Sequence, residues 1–283
     1  MEVAKVLFRT SRPVSWINTA YPFALGYLML GGDVDWRLIV GTIFFLIPYN
    51  LLMYGINDVF DYESDIRNPR KGGIEGAITD KKYHSAIVWS SITMSLPFVV
   101  AIVAMSSLLS SLVLAAVLFF VVAYSAKGLR FKEKPFLDSI TSSIHFVGPL
   151  VFAYSLLGVN QTGWLLAGAF FAWGIASQAF GAVQDIVPDR KARIKSIATV
   201  LGAKYTVWFG LVMYGVAVVT TLMAGGVAVW VALAGVAYIA NIAPFAGITD
   251  RTSAKANKGW RRFIWINYGV GAVVTICCLL ALI

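Results

Sequence analysis

Long apolar stretches separated by short polar ones are the dominant pattern along this chain of 283 residues. Runs of about 18 or more apolar residues predict membrane-spanning helices. We find nine of them, at residues 13–31, 37–57, 84–104, 107–126, 137–158, 163–184, 205–224, 227–248 and 263–282. The pattern therefore predicts an all-α, polytopic membrane protein with nine transmembrane helices, in a single integral-membrane domain that spans residues 1–283.

Composition and charge support this class and give it an orientation. Hydrophobic residues make up 59% of the chain and charged residues 13%, whereas about a quarter of the residues in soluble proteins are charged. If the nine helices alternate across the membrane, 22 of the 23 Lys and Arg residues fall on one side, with Arg37 as the exception. The positive-inside rule then predicts a cytoplasmic N-terminus. The net charge of +9 follows from this topology and from attraction to anionic lipid, so it does not indicate nucleic-acid binding.

An acidic motif lies at the end of the second predicted helix, in the stretch YGINDVFDYESDIRNPRK at residues 54–71. Asn57, Asp61 and Asp65 are spaced at i, i+4 and i+8, so in a helix their side chains share one face. Oxygen ligands of this kind suit Mg²⁺, which is commonly held by one or two carboxylates together with substrate phosphates. Basic residues beginning with Arg67 follow and would suit the same phosphates.

A second acidic motif lies at the end of the sixth predicted helix, in GAVQDIVPDRKARIKS. Asp185 and Asp189 repeat the i, i+4 spacing and are followed by another basic group, which includes Lys195. The two motifs hold six of the fourteen acidic residues of the chain, which argues against ordinary solvated helix ends. Motifs at 57–65 and 185–189 suggest an internal pseudo-repeat of about four helices.

A third polar cluster lies between the acidic motifs, in YSAKGLRFKEKPFLD. Tyr124, Lys127 and Arg130 recur every three residues at the end of a predicted helix, so we expect them close to one face. They would offer a hydroxyl and two cations to phosphate oxygens. By itself the cluster would also fit a rim of snorkelling side chains. Its position between two acidic motifs favours phosphate binding.

Several polar residues fall within the apolar runs, where such groups normally face the interior of the bundle. They are Asn18, Asn50, His145, Gln178, Asn241 and Asn267. Asn18 and Asn50 are candidates for an acceptor pocket. We interpret His145 as a hydrogen-bonded packing residue rather than a base, because no second metal-ligating residue accompanies it at a suitable spacing. Cys277 and Cys278 are adjacent and cannot form a normal disulfide framework.

Together these features predict a barrel-like bundle with a central apolar chamber and two carboxylate strips that face each other. Such a site suits a diphosphate bridged by Mg²⁺, and the apolar walls indicate that the rest of the substrate is hydrocarbon. An allylic diphosphate meets both demands. Metal and cations would stabilise the leaving diphosphate, and a dry chamber would protect an allylic cation from water.

The motifs Asn57-Asp58-x-x-Asp61-x-x-x-Asp65, Tyr124-x-x-Lys127 and Asp185-x-x-x-Asp189 resemble those of the UbiA superfamily of intramembrane prenyltransferases. The resemblance covers the whole chain and is closest to the lycopene elongases of bacterial C50 carotenoid pathways. The stretches that carry it are SRPVSWINTAYPFALGY, IPYNLLMYGINDVFDYESDIRNPRKGGIEGA, YSAKGLRFKEKPFLDSITSSIHF and ASQAFGAVQDIVPDRKARIKSIATVLGA. One departure is Arg193, which stands where many superfamily members have Gly.

The resemblance implies a role for each motif position. The Mg²⁺ ligands would be Asn57, Asp61, Asp65, Asp185 and Asp189, with Asp58 beside them. The diphosphate would be bound or oriented by Tyr124, Lys127, Arg130, Arg67 and Lys195. Four of the carboxylates and one cation would be catalytic, namely Asp61, Asp65, Asp185, Asp189 and Lys127. The terminal double bond of lycopene would attack the cation formed from dimethylallyl diphosphate, and downstream carotenoid enzymes are potential partners.

The motifs report only the diphosphate donor, so other acceptors stay open. An aromatic, quinone-type acceptor or a glycerol phosphate would need the same donor site. A membrane transporter is a different class of protein, but transporters bind substrate near the membrane midplane on interrupted helices. In this chain the motif carboxylates lie at helix ends or in loops, which argues against transport. The sequence also leaves open the donor length and whether the last step is hydration or proton loss.

Overall fold

The structure is a computed structural model that describes residues 2–66 and 79–282. These residues form thirteen α-helices and no strand, which confirms the all-α prediction. The helices are α1 (Glu2–Thr10), α2 (Ile17–Met29), α3 (Trp36–Leu46), α4 (Pro48–Asp65), α5 (His84–Ala104), α6 (Leu108–Ser125), α7 (Leu137–Leu157), α8 (Gln161–Val183), α9 (Ile186–Ala192), α10 (Ile197–Leu201), α11 (Ala203–Ala224), α12 (Ala228–Ile242) and α13 (Asn257–Leu282).

Eight helical segments of the described chain are long and apolar enough to cross a membrane. They correspond to eight of the nine predicted runs. The remaining run, 13–31, contains the shorter helix α2 of 13 residues, which follows a 3₁₀ turn at Pro13–Ser15. The count of nine transmembrane helices and the cytoplasmic N-terminus stay predictions.

The second predicted run, 37–57, is two helices rather than one. α3 ends at Leu46 and α4 begins at Pro48, because proline has no N–H to donate and disfavours the helical conformation of the residue before it. The break exposes carbonyl groups in the apolar region, and Asn50 satisfies them. Its Nδ2 donates to the Phe45 and Leu46 carbonyl oxygens at 2.8 and 3.0 Å.

The break is also tied to α2. Thr19 donates its hydroxyl to the Phe45 carbonyl oxygen at 2.7 Å, and Asn50 Nδ2 lies 2.7 Å from the same hydroxyl oxygen. Asn50 is fully buried, and its Nδ2 caps the break; its predicted place in an acceptor pocket stays a prediction. Asn18 is exposed at the start of α2 and is not packed in the interior, contrary to the expectation for a polar residue in an apolar run.

The chain divides into two compact units. The first comprises the described residues of Met1–Phe131 together with His145–Gly158. Aromatic side chains fill its core, where Phe23, Phe44 and Phe45 are fully buried. Gly41 allows α3 to approach this core closely, since a Cβ there would lie 2.3 Å from Phe23 Cζ.

The second unit comprises Lys132–Ile144 together with Val159–Ile283, of which Ile283 is not described. Its core lies along α8 and α11 and contains Phe180, Ile186 and Tyr214, all at most 1% exposed. From Ala169 to Val183 no residue of α8 is more than partly exposed. A helical segment that is at least partly covered on every side is typical of the inside of a bundle.

Candidate active site

The first acidic motif is helical through Asp65, as the sequence predicts. Asp58, Asp61 and Asp65 are 3, 5 and 8% exposed, and Asn57 is partly exposed. Asn57 donates its Nδ2 to Ser125 Oγ on α6 at 2.9 Å. This bond orients the amide so that its oxygen is directed away from Ser125.

Asp58 has a partner that the sequence did not reveal. Arg12 Nη2 lies 2.7 Å from Asp58 Oδ1, and the same guanidinium lies over the Tyr54 ring at 4.2 Å from its centroid. The Asp58 side chain is 0% exposed and the Arg12 side chain 20%. Asp58 is therefore held in an ion pair beside the strip formed by Asn57, Asp61 and Asp65.

The third polar cluster, which consists of Tyr124, Lys127 and Arg130, differs from the prediction in its local geometry. α6 ends at Ser125, and the chain then turns through Gly128, which has a φ of +92°. Tyr124 is thus on the helix, whereas Lys127 and Arg130 are not, and the prediction that the three share a helix face is wrong. Glycine in a left-handed conformation ends helices because it has no Cβ to clash.

Arg130 nevertheless reaches the first motif by another path. Its Nη2 lies 3.8 Å from Asp61 Oδ1, and its Nη1 donates to the Phe60 carbonyl oxygen at 3.4 Å. Lys127 is exposed, and Tyr124 is partly exposed with its ring edge-on to the His145 ring at 5.0 Å. Arg67 lies outside the described residues.

His145 is held as a packing residue, as predicted. Its ring nitrogen Nε2 lies 3.3 Å from the Phe120 carbonyl oxygen, and its own carbonyl accepts a hydrogen bond from the Tyr49 hydroxyl at 3.0 Å. The residue is 4% exposed. The ring therefore supports Tyr124 from inside the first unit.

The second acidic motif lies where α8 passes into α9. Asp185 is the residue before α9, and the Asp189 N–H donates to the Asp185 carbonyl oxygen at 2.9 Å, so the two residues stand one helical turn apart. Both are partly exposed. α9 ends at Ala192, and the next residue, Arg193, has a left-handed φ of 58°. This explains why glycine suits that position in many superfamily members.

The basic residues after this motif have different environments. Arg190 donates to Asp250 Oδ2 at 2.6 Å and from Nη2 to the Thr199 carbonyl oxygen at 2.9 Å, so it joins three segments of the second unit. Lys195 is exposed, and its role in binding the substrate phosphate stays a prediction.

A buried carboxylate fixes the segment that carries Lys195. Asp138 is 1% exposed, and its Oδ2 accepts a hydrogen bond from the Ile197 N–H at 2.8 Å. Its Oδ1 accepts from the Ser139 N–H at 2.8 Å. Ser196 caps the same short helix, α10, through its side chain. Asp138 thus anchors the start of α10, one of the supports that sequence reasoning missed.

The donor set of the first motif fits a hard cation that is completed by substrate. Two buried carboxylates and one amide share a helical face, and all three offer oxygen atoms, the ligands that Mg²⁺ prefers. No cluster of three His, Cys, Asp or Glu side chains that could hold a metal occurs among the described residues. Mg²⁺ is commonly held by one or two carboxylates together with substrate phosphates, an arrangement that these three side chains suit.

Comparisons with known proteins identify the family. A family model described as the UbiA prenyltransferase family matches residues 19–267. The chain belongs to the UbiA prenyltransferase family. This UbiA-family chain is similar to a lycopene elongase/hydratase from Corynebacterium glutamicum, with 48% identity over 278 residues that cover 98% of the chain and 97% of the relative.

A second relative and a solved structure agree with this family assignment. The chain is 53% identical over 275 residues to a C(50) beta-cyclic carotenoids biosynthesis protein, LbtBC, from Dietzia sp., covering 95% of the chain and 63% of that protein. A UbiA homolog from Archaeoglobus fulgidus bound to DMAPP and Mg²⁺ superposes with a TM-score of 0.64 at 17% identity, covering 93% of this chain and 98% of the other. The fold is therefore the UbiA fold, and the protein is an integral membrane enzyme that transfers prenyl groups.

Proposed function

We propose that this enzyme transfers a dimethylallyl group from dimethylallyl diphosphate to each end of lycopene, to give C45 and then C50 carotenoids. The observation that carries this proposal is the 48% identity, over almost the whole of both chains, to a protein named lycopene elongase/hydratase. An aromatic, quinone-type acceptor is the competing possibility within the same reaction class.

The proposed donor site uses both acidic motifs. The proposed Mg²⁺ ligands are Asn57, Asp61 and Asp65 of the first motif and Asp185 and Asp189 of the second. Bound Mg²⁺ supplies electrostatic stabilisation of the departing diphosphate. Asp58 is assigned to the ion pair with Arg12 rather than to the metal, because its Oδ1 lies 2.7 Å from Arg12 Nη2.

Cations from separate segments would neutralise the diphosphate. Arg130 is the first of them, because its guanidinium already lies 3.8 Å from the Asp61 carboxylate. Exposed Lys127 and Lys195 and the Tyr124 hydroxyl would add donors, and Arg67 is proposed for the same role. Charge-assisted hydrogen bonds of this kind are about twice as strong as neutral ones.

The proposed reaction then takes place at the allylic carbon of the donor and the terminal double bond of the acceptor. The bond between the allylic carbon and oxygen breaks, and the electron pair leaves with the diphosphate. The terminal double bond of lycopene attacks the allylic cation, which forms one C–C bond and leaves a tertiary cation on the acceptor. That cation takes up water or loses a proton. Apolar helices that exclude bulk water would protect both cations until the final step.

We propose that the enzyme lies in the cell membrane and that its active site opens to the cytoplasm. Its acidic motifs lie beside the basic loops that the positive-inside rule assigns to that side. Both substrates then have a natural route, with the diphosphate arriving from water and the carotenoid from lipid. Downstream carotenoid enzymes would receive the elongated product.

Expression in cells that accumulate lycopene tests the proposal, with Asp61→Asn and Glu63→Gln as matched variants. Asp61 is buried in the motif, whereas Glu63 lies on the same helix and pairs with Lys81 at 2.6 Å on the surface. We expect C45 and C50 species from the wild type and from Glu63→Gln, and a loss of at least about a hundredfold in Asp61→Asn. Unaltered lycopene beside well-inserted wild-type protein would refute the carotenoid acceptor.

A further inference from the structure

The second acidic motif lies where the chain leaves one helix and enters the next. α8 ends at Val183 and α9 begins at Ile186, so Asp185 lies between them. The regular helical ladder changes at this point, because the Asp185 N–H donates to the Ala182 carbonyl oxygen, three rather than four residues back, at 3.1 Å. The direction of the carboxylates in this motif therefore depends on the contacts that the residues beside them make.

The residue immediately before the motif is a buried amide that joins α8 to α13. Gln184 is 5% exposed, and its Nε2 donates to the Gly181 carbonyl oxygen at 3.0 Å. Because a carbonyl oxygen can only accept, this bond fixes which end of the amide carries the N–H groups. The other end, Oε1, accepts a hydrogen bond from Asn257 Nδ2 at 2.6 Å, across 73 positions of sequence. Asn257 is the first residue of α13.

The residue immediately after the motif is tied to the same stretch of chain. Arg190 Nη1 donates to Asp250 Oδ2 at 2.6 Å, and Asp250 Oδ1 accepts from the Ala203 N–H at 2.6 Å. Asp250 begins a 3₁₀ helix that runs directly into α13 at Asn257. The 250–257 segment therefore contacts the motif on both sides, one position before its first carboxylate and one position after its second.

The 250–257 segment is itself packed firmly within the second unit. Ser253 is 0% exposed and Ala256 1% exposed. Just beyond the segment, Gly259 allows α13 to approach α8 closely, since a Cβ there would lie 2.8 Å from Phe180 Cζ. Closely packed interiors have low compressibility and transmit displacements rather than absorb them. The segment can therefore serve as a rigid support for the motif that it contacts.

We propose that two residues of the 250–257 segment position the second acidic motif for the donor. Asn257 acts through Gln184, before the motif. Asp250 acts through Arg190, after it. The inference rests on the proposed function, which assigns both carboxylates of this motif to Mg²⁺. Neither positioning residue is assigned a contact with the metal or the donor.

The size of the expected effect follows from other metal sites, where residues that orient the ligands typically contribute 10–100-fold to metal affinity. Asn257→Leu removes the donor to Gln184 Oε1 and keeps a side chain of similar size. We expect it to raise the Mg²⁺ concentration needed for binding about tenfold. Asp250→Asn keeps an oxygen for the Ala203 N–H but loses the charge that pairs with Arg190. We expect a change in the same direction by a smaller factor.

The test measures binding without turnover. Purified wild type and variants are unfolded thermally in detergent at increasing Mg²⁺ and a fixed excess of inorganic pyrophosphate. A ligand that binds only the folded protein raises its unfolding temperature, and the Mg²⁺ concentration at half of that rise is the midpoint to compare. Elongation of lycopene is measured separately.

A matched control lies at the other end of α8. Asn160 is exposed, and its Oδ1 accepts from the Gly163 N–H at 2.9 Å. Asn160→Leu therefore makes the same amide-to-leucine change and removes a hydrogen bond at an end of the same helix. We expect it to lower the unfolding temperature without moving the Mg²⁺ midpoint.

Each other outcome has a defined meaning. A midpoint that is unchanged in Asn257→Leu, or raised equally in Asn160→Leu, would overturn the inference, because the 250–257 segment would then support only the fold. If Asn257→Leu does not fold, Asp250→Asn decides in the same way, since exposed ion pairs contribute little to stability. Wild type without any response to Mg²⁺ and pyrophosphate would remove the donor site, and this inference with it. Wild type that responds but leaves lycopene unaltered would refute only the carotenoid acceptor, and the midpoints of the variants would still decide the inference.

Discussion

The ion pair between Arg12 and Asp58 offers a direct test of how the first acidic motif is held. Arg12→Met removes the cation but keeps an unbranched apolar stem over the Tyr54 ring, which lies 4.2 Å from the guanidinium carbon in the structure. Asp58, whose side chain is 0% exposed, would then be a carboxylate that has lost the Arg12 guanidinium.

The expected cost follows from burial. Breaking a buried ion pair by removing one partner costs about 3–5 kcal/mol, and losing a cation–π contact adds about 0.5–1 kcal/mol at an exposed site. The Arg12 side chain is 20% exposed, so water offsets part of that loss. We expect Arg12→Met to lower the free energy of unfolding by about 2–4 kcal/mol.

Thermal unfolding of the single and double variants in detergent measures the loss in the free energy of unfolding. The double variant Arg12→Met/Asp58→Asn should recover about 1–3 kcal/mol relative to the sum of the single changes, because the two residues are in contact. Arg9→Met, at an exposed position on α1, is the control. A loss in Arg12→Met no larger than in Arg9→Met, or strict additivity in the double variant, would refute the reasoning.

Three further predictions concern single residues. Asp138→Ala should cost about 1–3 kcal/mol of stability, because the buried Ile197 N–H loses its acceptor, and Asp138→Asn should cost less; equal losses in denaturation midpoints would contradict this. Arg193→Gly should stabilise by about 0.5–1 kcal/mol, since glycine accepts the left-handed φ, whereas Arg193→Ala should not. Partial burial raises the pKa of Asp35, but hydrogen bonds from the Leu38 N–H, the Tyr27 hydroxyl and the Arg37 N–H lower it by more. The pKa of Asp35 therefore lies below its ordinary value of 3.8. The capping contribution of Asp35 is therefore present at neutral pH and lost as the pH falls below about 4; Asp35→Asn should keep the cap and lose this pH dependence in unfolding curves measured between neutral and acidic pH.

The sequence predicted the helices well because lipid imposes a strict rule on them. A spanning segment must be apolar and must satisfy its own backbone, so hydropathy alone locates it. The motifs were equally visible, since i, i+4 spacing fixes a shared face once a helix is present. α4 does continue to Asp65, which is why Asn57, Asp61 and Asp65 remain a common strip.

The features that the sequence analysis did not predict have physical causes of two kinds. Some signals were present but local: Pro48 marked the break between α3 and α4, and Gly128 marked the end of the helix that carries Tyr124. Others depend on tertiary contacts that spacing cannot reveal. Arg12 and Asp58 are 46 positions apart, and Asp138 and Ile197 are 59 apart. Both pairings require knowledge of which helices are neighbours.

The capped break between α3 and α4 also constrains how the chain can enter the membrane during synthesis. Until Asn50 arrives, the Phe45 and Leu46 carbonyl groups would face lipid without the two bonds that it donates, and each unsatisfied group there costs several kcal/mol. The translocon would therefore release α3 and α4 into the bilayer together rather than one after the other. α2 must also stay alongside until then, since Thr19 shares the same carbonyl. The three helices α2, α3 and α4 would therefore enter the membrane as one unit.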